Sequence, residues 1–119
     1  MGHPKAAPRV ERFADLAFVP RAEDGQMAEL AEVSGSKDGT VLGTGFVRLR
    51  NARLEWTVPY DEVLIVLDGD LRVHTAHGVL RAGPFDSVWL PAGSDLVYEA
   101  ENALVVYAIH PADWAAARS

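Results

Sequence analysis

The chain has no cysteine in its 119 residues, which removes disulfides, thiolate zinc sites, iron–sulfur clusters and cysteine nucleophiles together. It is short of cations as well: 11 Lys and Arg stand against 17 Asp and Glu, for a net charge of -6, and the basic residues form no cluster. Nucleic acids and anionic membranes are bound largely through cationic side chains, so neither is expected as a partner. Small neutral or cationic ligands remain open. Long apolar runs are missing too, with nothing near the roughly 20 residues that span a bilayer. Residues 1–9 have neither the charged start nor the apolar centre of a secretory signal, and the expectation is a cytoplasmic protein. Gly43-Thr-Gly45 lacks the third glycine and the strand-to-helix setting of a dinucleotide site, and no phosphate loop of the Gly-x-x-x-x-Gly-Lys type occurs. Ser34, Ser36, Ser87 and Ser94 stand outside any Gly-x-Ser-x-Gly elbow. No internal repeat is visible.

What is present is a succession of short strand signals. The length bounds one domain, expected over residues 18–119, after a tail and short helix over residues 1–17. Apolar or alternating runs predict strands at 18–20, 28–33, 40–50, 53–58, 62–67, 71–75, 79–81, 87–90, 96–99 and 103–109. Between them lie Asn51, Pro59, Asp68-Gly69-Asp70, Ala76-His77-Gly78, Gly83-Pro84, Pro91-Ala-Gly93 and Glu101-Asn102, all turn formers. Many short strands with evenly spaced turns mean an all-β sandwich or barrel. The alanine-rich stretch around Trp114 predicts a short terminal helix. Trp56, Trp89 and Trp114 are read as packing residues, and Met27 and Phe46 as core.

Two segments carry more than fold. Glu55-Trp-Thr-Val-Pro-Tyr-Asp-Glu62, closed by Gly69, and Asp86-Ser-Val-Trp-Leu-Pro91-Ala-Gly93 resemble the paired motifs of the cupin superfamily. In metal-binding cupins the first motif supplies two histidines and a glutamate and the second a last histidine. Laid on that pattern, Glu55 and Thr57 stand at the first two histidines, Glu62 at the glutamate and Leu96 at the last histidine. Within the superfamily, Trp56-Thr57, Tyr60-Asp61-Glu62, Gly69, Pro91-x-Gly93-Ser94 and Pro111-Ala-x-Trp114 are similar to the ethanolamine-utilisation cupins, whose members also replace the histidines. The resemblance implies a single-domain cupin jelly roll, a double-stranded β-helix barrel closed by a short helix. It also raises acetate kinase activity, which the scattered Arg48, Arg50 and Arg53 do little to support, since phosphoryl transfer needs cations or metals clamped on phosphates.

If Glu62 points inward as the cupin glutamate does, strand alternation sends Leu64 and Val66 inward and Val63, Ile65 and Leu67 outward. Both faces of the strand are then apolar, and a homodimer covering the outer one is expected. Glu62 is the central polar group of the site, with Glu55, Thr57, Tyr60, Tyr98 and Tyr107 around it as ligand-binding candidates. Desolvation inside an apolar barrel raises a carboxyl pKa, and a neighbouring Glu55 would raise one of the pair further. That makes Glu62 a general acid or base, the counter-charge for a bound amine, or a strand-fixing partner of a tyrosine. No imidazole stands at a ligand position, so no cofactor and no His-ligated metal are expected; a loosely held cation at Glu55 and Glu62 is the remaining alternative. His74 should face outward, His77 lie in a hairpin turn and His110 sit at a strand end. The expected function is binding, with or without transformation, of a small polar metabolite in the barrel. The alternative is a non-catalytic structural or sensory module with a plugged pocket. An open pocket reaching Glu62 would favour the first.

Overall fold

The structure is a computed structural model and describes residues 5–117. Its strands are β1 (Val19–Pro20), β2 (Ala28–Ser34), β3 (Gly43–Thr57), β4 (Asp61–Gly69), β5 (Leu71–Thr75), β6 (Gly78–Ala82), β7 (Ser87–Leu90) and β8 (Asp95–His110), with a single helical turn α1 (Trp114–Ala117) at the end. The first four residues of the expected tail lie outside the described residues.

Two long strands organise the barrel. The pairing of β3 with β8 runs from Gly43 opposite Ile109 to Arg50 opposite Asn102, then resumes from Ala52 opposite Ala100 to Thr57 opposite Asp95. Asn51 falls out of register with φ of 45°, in the left-handed region that asparagine enters more readily than most side chains. The sequence predicts breaks at Asn51 and at Glu101-Asn102. The structure has one bend there in each of two continuous strands, because a short irregularity lets both pass from one sheet into the next. The first halves of β3 and second half of β8 lie in a sheet of order β1-β2-β3-β8-β4-β7; the other halves continue into β5 and β6. All pairings are antiparallel. The result is a jelly-roll barrel whose core joins Leu49, Leu64, Val66, Val88, Leu90 and Val105 of one sheet to Leu54, Leu71, Val73 and Leu96 of the other.

Alternation along β4 follows the expected phase. Glu62, Leu64 and Val66 are buried, while Val63, Ile65 and Leu67 lie half-buried on the outer face. Register extends that face into two rows, Thr44–Ala108–Val63–Trp89 and Phe46–Val106–Ile65–Ser87. Trp89, expected to pack, is 59% exposed on this outer surface. Phe46 is not in the barrel core either: its ring meets Phe13 edge-on at 5.3 Å, so the segment before β1 lies against the outside of the sheet. Arg48 beside it stacks on Phe18 at 4.6 Å.

Local geometry ties the two motif segments together. Gly93, with φ of 92°, gives its N–H to the carbonyl of Val58, whose own N–H reaches Ser94. The amide of Ala92 is capped by Asp61 Oδ1 at 2.9 Å. The Pro-x-Gly turn therefore braces the link between β3 and β4, which carries Tyr60 and leads into Glu62 on β4. Gly69 is required at its turn: its φ is 81°, and a Cβ there would stand 1.9 Å from the carbonyl oxygen of Asn102.

Candidate functional site in the barrel

Among the described residues Glu62 is the one buried charged side chain, 6% exposed. It enters the barrel from β4 between Leu90 on one side and Ile109 on the other. Across the interior, Tyr98 leaves β8 where that strand pairs with Leu54 and Val73 of the second sheet. Its hydroxyl donates to Glu62 Oε1 at 2.8 Å. Oε2 has no hydrogen-bond partner among the described residues. Among the described residues no buried side-chain polar atom is left unpartnered, so Oε2 must open onto space rather than be sealed in the wall.

That space is a cavity of about 740 Å³. Its walls are largely aliphatic, with Leu30, Val47, Leu49, Leu64, Leu71 and Val105 among them, and its polar groups converge from several elements. Tyr60 comes from the β3–β4 link and accepts a hydrogen bond from Trp56 Nε1 at 3.3 Å. Tyr107 comes from β8 opposite Gly45, where a side chain would stand 2.6 Å from the tyrosine hydroxyl; the glycine makes room for it. Trp114 of α1 closes one side, its ring 5.9 Å from Trp56 and 5.6 Å from Tyr60, both edge-on. Arg21, at the head of the short turn after β1, lays its guanidinium over Trp56 at 5.0 Å and pairs with Asp24 at 2.6 Å.

Burial raises the Glu62 carboxyl to about 7, against the pull of the Tyr98 hydrogen bond and the positive charge of Arg21. The same desolvation, with the Glu62 charge beside it, pushes Tyr60 up to about 12 and Tyr98 further. Tyr107 is pushed up to about 12 by burial and by Glu32. The chemical content is one carboxyl group able to hold or release a proton near neutral pH, among hydroxyls that keep theirs.

Of the residues expected at the site, Glu62, Tyr60, Tyr98 and Tyr107 come together. Glu55 lines the same cavity from the exposed phase of its strand, and Thr57 does not line it. Ala52 and Leu54 are buried and Arg53, Glu55 and Thr57 exposed, so the two motif positions fall on the outward phase of β3. Glu55 is exposed on its strand yet contributes to the cavity wall. The Thr57 hydroxyl donates to Asp95 Oδ1 at 2.6 Å on the surface. Glu55 is no source of the Glu62 displacement, which comes from burial. The inward neighbour is Trp56, read from sequence as packing. Arg21 escaped the sequence reading because nothing in its local pattern distinguishes it. His74 faces outward to Glu99 at 2.9 Å, and His110 is exposed at the end of β8.

A family model described as ethanolamine utilisation protein EutQ matches residues 20–116. The chain belongs to that family. Over 86 residues it is 30% identical to the acetate kinase EutQ of Escherichia coli K12, a match covering 71% of this chain and 37% of the relative. The chain spans less than half the length of the curated EutQ relatives it matches. The crystal structure of an ethanolamine utilization protein Q from Salmonella typhimurium LT2 superposes with a TM-score of 0.80 at 26% identity, covering 87% of this chain and 85% of that one. An RmlC-like cupin from Shewanella frigidimarina shares the fold, with a TM-score of 0.74 at 12% identity over 89% of this chain and 93% of that one.

The cupin fold raises the matter of a metal, and the EutQ-family side chains here do not fit one. The inward side chains of β3 that line the cavity with Glu62 are Leu54 and Trp56, and Leu96 is buried in the core; none offers a donor that a first-row metal would take. Among the described residues no three His, Cys, Asp or Glu gather at a metal-sized site.

Proposed function

We propose that this EutQ-family barrel binds a small polar metabolite in its cavity and exchanges a proton with it through Glu62. One observation carries the reading: a buried carboxyl group, displaced to about 7, keeps one oxygen free toward an open cavity of about 740 Å³. A purely structural glutamate would use both oxygens on the protein or give way to an apolar residue, since an uncompensated buried carboxylate costs stability. The open space of about 740 Å³ that Glu62 lines also speaks against a plugged module.

The ligand meets Glu62 and the Tyr98, Tyr60 and Tyr107 hydroxyls, with its apolar part against the aliphatic wall. Glu62 either accepts a proton when ionised or donates one when neutral, and near its own pKa it does both with little cost. The kinase activity in the relatives' names is not carried over, since Arg21 is the one basic residue among the described residues that line the cavity and it is already paired with Asp24. The reading includes a cytoplasmic homodimer formed through the outer face of β4, β7 and β8.

A thermal-shift screen of small polar metabolites on the wild type and on Glu62→Gln, followed by calorimetry on each hit, tests the proposal. Binding that disappears in Glu62→Gln supports it. Equal affinity in both proteins leaves Glu62 as a structural residue and overturns it.

A further inference from the structure

The proposal above leaves the charge of the ligand open, and the cavity carries information about it. Among the described residues that line it, Asp24, Glu32, Glu55 and Glu62 supply carboxyl groups and Arg21 is the sole cation. Five aromatic side chains, Trp56, Tyr60, Tyr98, Tyr107 and Trp114, line the same space. Aromatic faces attract cations through their quadrupole, and the attraction strengthens where water is excluded. Arg21 shows that attraction in place, its guanidinium 5.0 Å from the centre of the Trp56 ring and 2.6 Å from the Asp24 carboxylate. An anionic ligand would have to take Arg21 from both partners and then lie among the remaining carboxylates.

Resting on the Glu62 reading, we infer that the cavity is selective for a small organic ammonium ion, with its nitrogen against Glu62 Oε2 and its carbon chain on the aliphatic wall. Arg21 is then the protein's own cation on the Trp56 face, competing electrostatically with the ligand rather than hooking an anion. Glu62 must be ionised to hold the ammonium group, so binding and proton release are linked. The other groups facing Glu62 are the Tyr60, Tyr98 and Tyr107 hydroxyls and Arg21, with Glu32 behind Tyr107. Burial holds all three tyrosines above their ordinary value, which leaves them protonated near neutral pH.

The test is calorimetry with a series of short n-alkylammonium ions, and with alkyl carboxylates and alcohols of matched length, at millimolar concentration. The proteins are the wild type, Glu62→Gln and Arg21→Gln, each with its fold checked by circular dichroism. Alkylammonium is expected to bind the wild type better than either matched series, and about tenfold more tightly at pH 8 than at pH 6. Glu62→Gln should lose that binding. Arg21→Gln should gain roughly three- to tenfold in ammonium affinity at pH 8, as its competing charge is removed. No ammonium binding, tighter carboxylate binding, a pH-independent affinity, or weaker ammonium binding in Arg21→Gln overturns the inference. A carboxylate or alcohol that binds the wild type but not Glu62→Gln removes the ammonium selectivity alone and leaves the Glu62 site standing. Ammonium binding indifferent to Glu62→Gln removes both. The pH series on the wild type decides the matter even if one variant fails to fold.

Discussion

Tyr98 donates its hydroxyl proton to Glu62 Oε1 at 2.8 Å, joining the two sheets of the barrel through its interior. The bond does three things. It secures one carboxyl oxygen from a neighbouring sheet, and it leaves the other for the cavity. It also holds the carboxyl pKa below the value burial alone would impose.

Tyr98→Phe removes the donor without removing the ring. The Glu62 midpoint should rise above its wild-type value, read by carboxyl-carbon NMR. Stability should fall by about 1 kcal/mol, the net worth of one such bond, read by urea denaturation.

The displaced carboxyl also makes stability depend on pH. Below the ordinary value of 4.5 Glu62 is protonated in both folded and unfolded chains and carries no penalty. As pH rises from there through about 7, the unfolded chain releases the proton first and the folded state loses ground, by roughly 3 kcal/mol in all once both are ionised. Glu62→Gln has no such proton. The stability of the wild type relative to Glu62→Gln should therefore fall by about that amount between pH 4 and pH 8, as measured by denaturation of both proteins. A difference that does not change with pH would show that Glu62 titrates alike in both states.

Gly45 is a test of cavity shape. A methyl group there would stand 2.4 Å from the Ala31 carbonyl oxygen and 2.6 Å from the Tyr107 hydroxyl. The backbone oxygen cannot swing aside, so strand spacing or Tyr107 must give. Gly45→Ala should cost about 1 to 3 kcal/mol and weaken any ligand that touches Tyr107, by denaturation and calorimetry respectively.

The proposed homodimer would bury the outer rows of β4 and β8. Val63, Ile65, Val106 and Ala108 are half-buried neighbours on the outer face, with Trp89 standing 59% exposed beside Val63. Light scattering at micromolar concentration should give twice the chain mass for the wild type and a monomer for Ile65→Glu. A wild-type monomer would exclude the dimer.

Much of this was legible in the sequence, for reasons that can be located. β5 and β7 begin and end where the turn formers beside them predict, since each is a short strand between obligatory turns. The long β3 and β8 read as pairs because asparagine and charged residues break an apolar run without always ending a strand. Glu62, Tyr98 and Tyr107 could be placed because they lie on strands whose phase is set by flanking aliphatics, whereas Tyr60 sits in the link before β4. Glu55 and Thr57 were assigned by laying the cupin motif on the chain, a spacing that crosses the β3–β4 link and carries no strand phase. Glu55 lines the cavity and Thr57 turns to Asp95 on the surface. The signal that gives the phase is local: Ala52 and Leu54 alternate with Arg53 and Glu55, and that alternation puts Trp56 inside. Arg21 had no such signal, because its place over Trp56 depends on a turn remote in sequence.

The most direct measurement is the titration of Glu62 itself, followed by NMR of the carboxyl carbon and assigned by the resonance lost in Glu62→Gln. A midpoint near 7, moving downward when a ligand cation is added, is the expected result. A midpoint near the ordinary 4.5 would mean that the carboxyl is fully solvated, and would contradict a buried proton-exchanging group at the centre of the barrel.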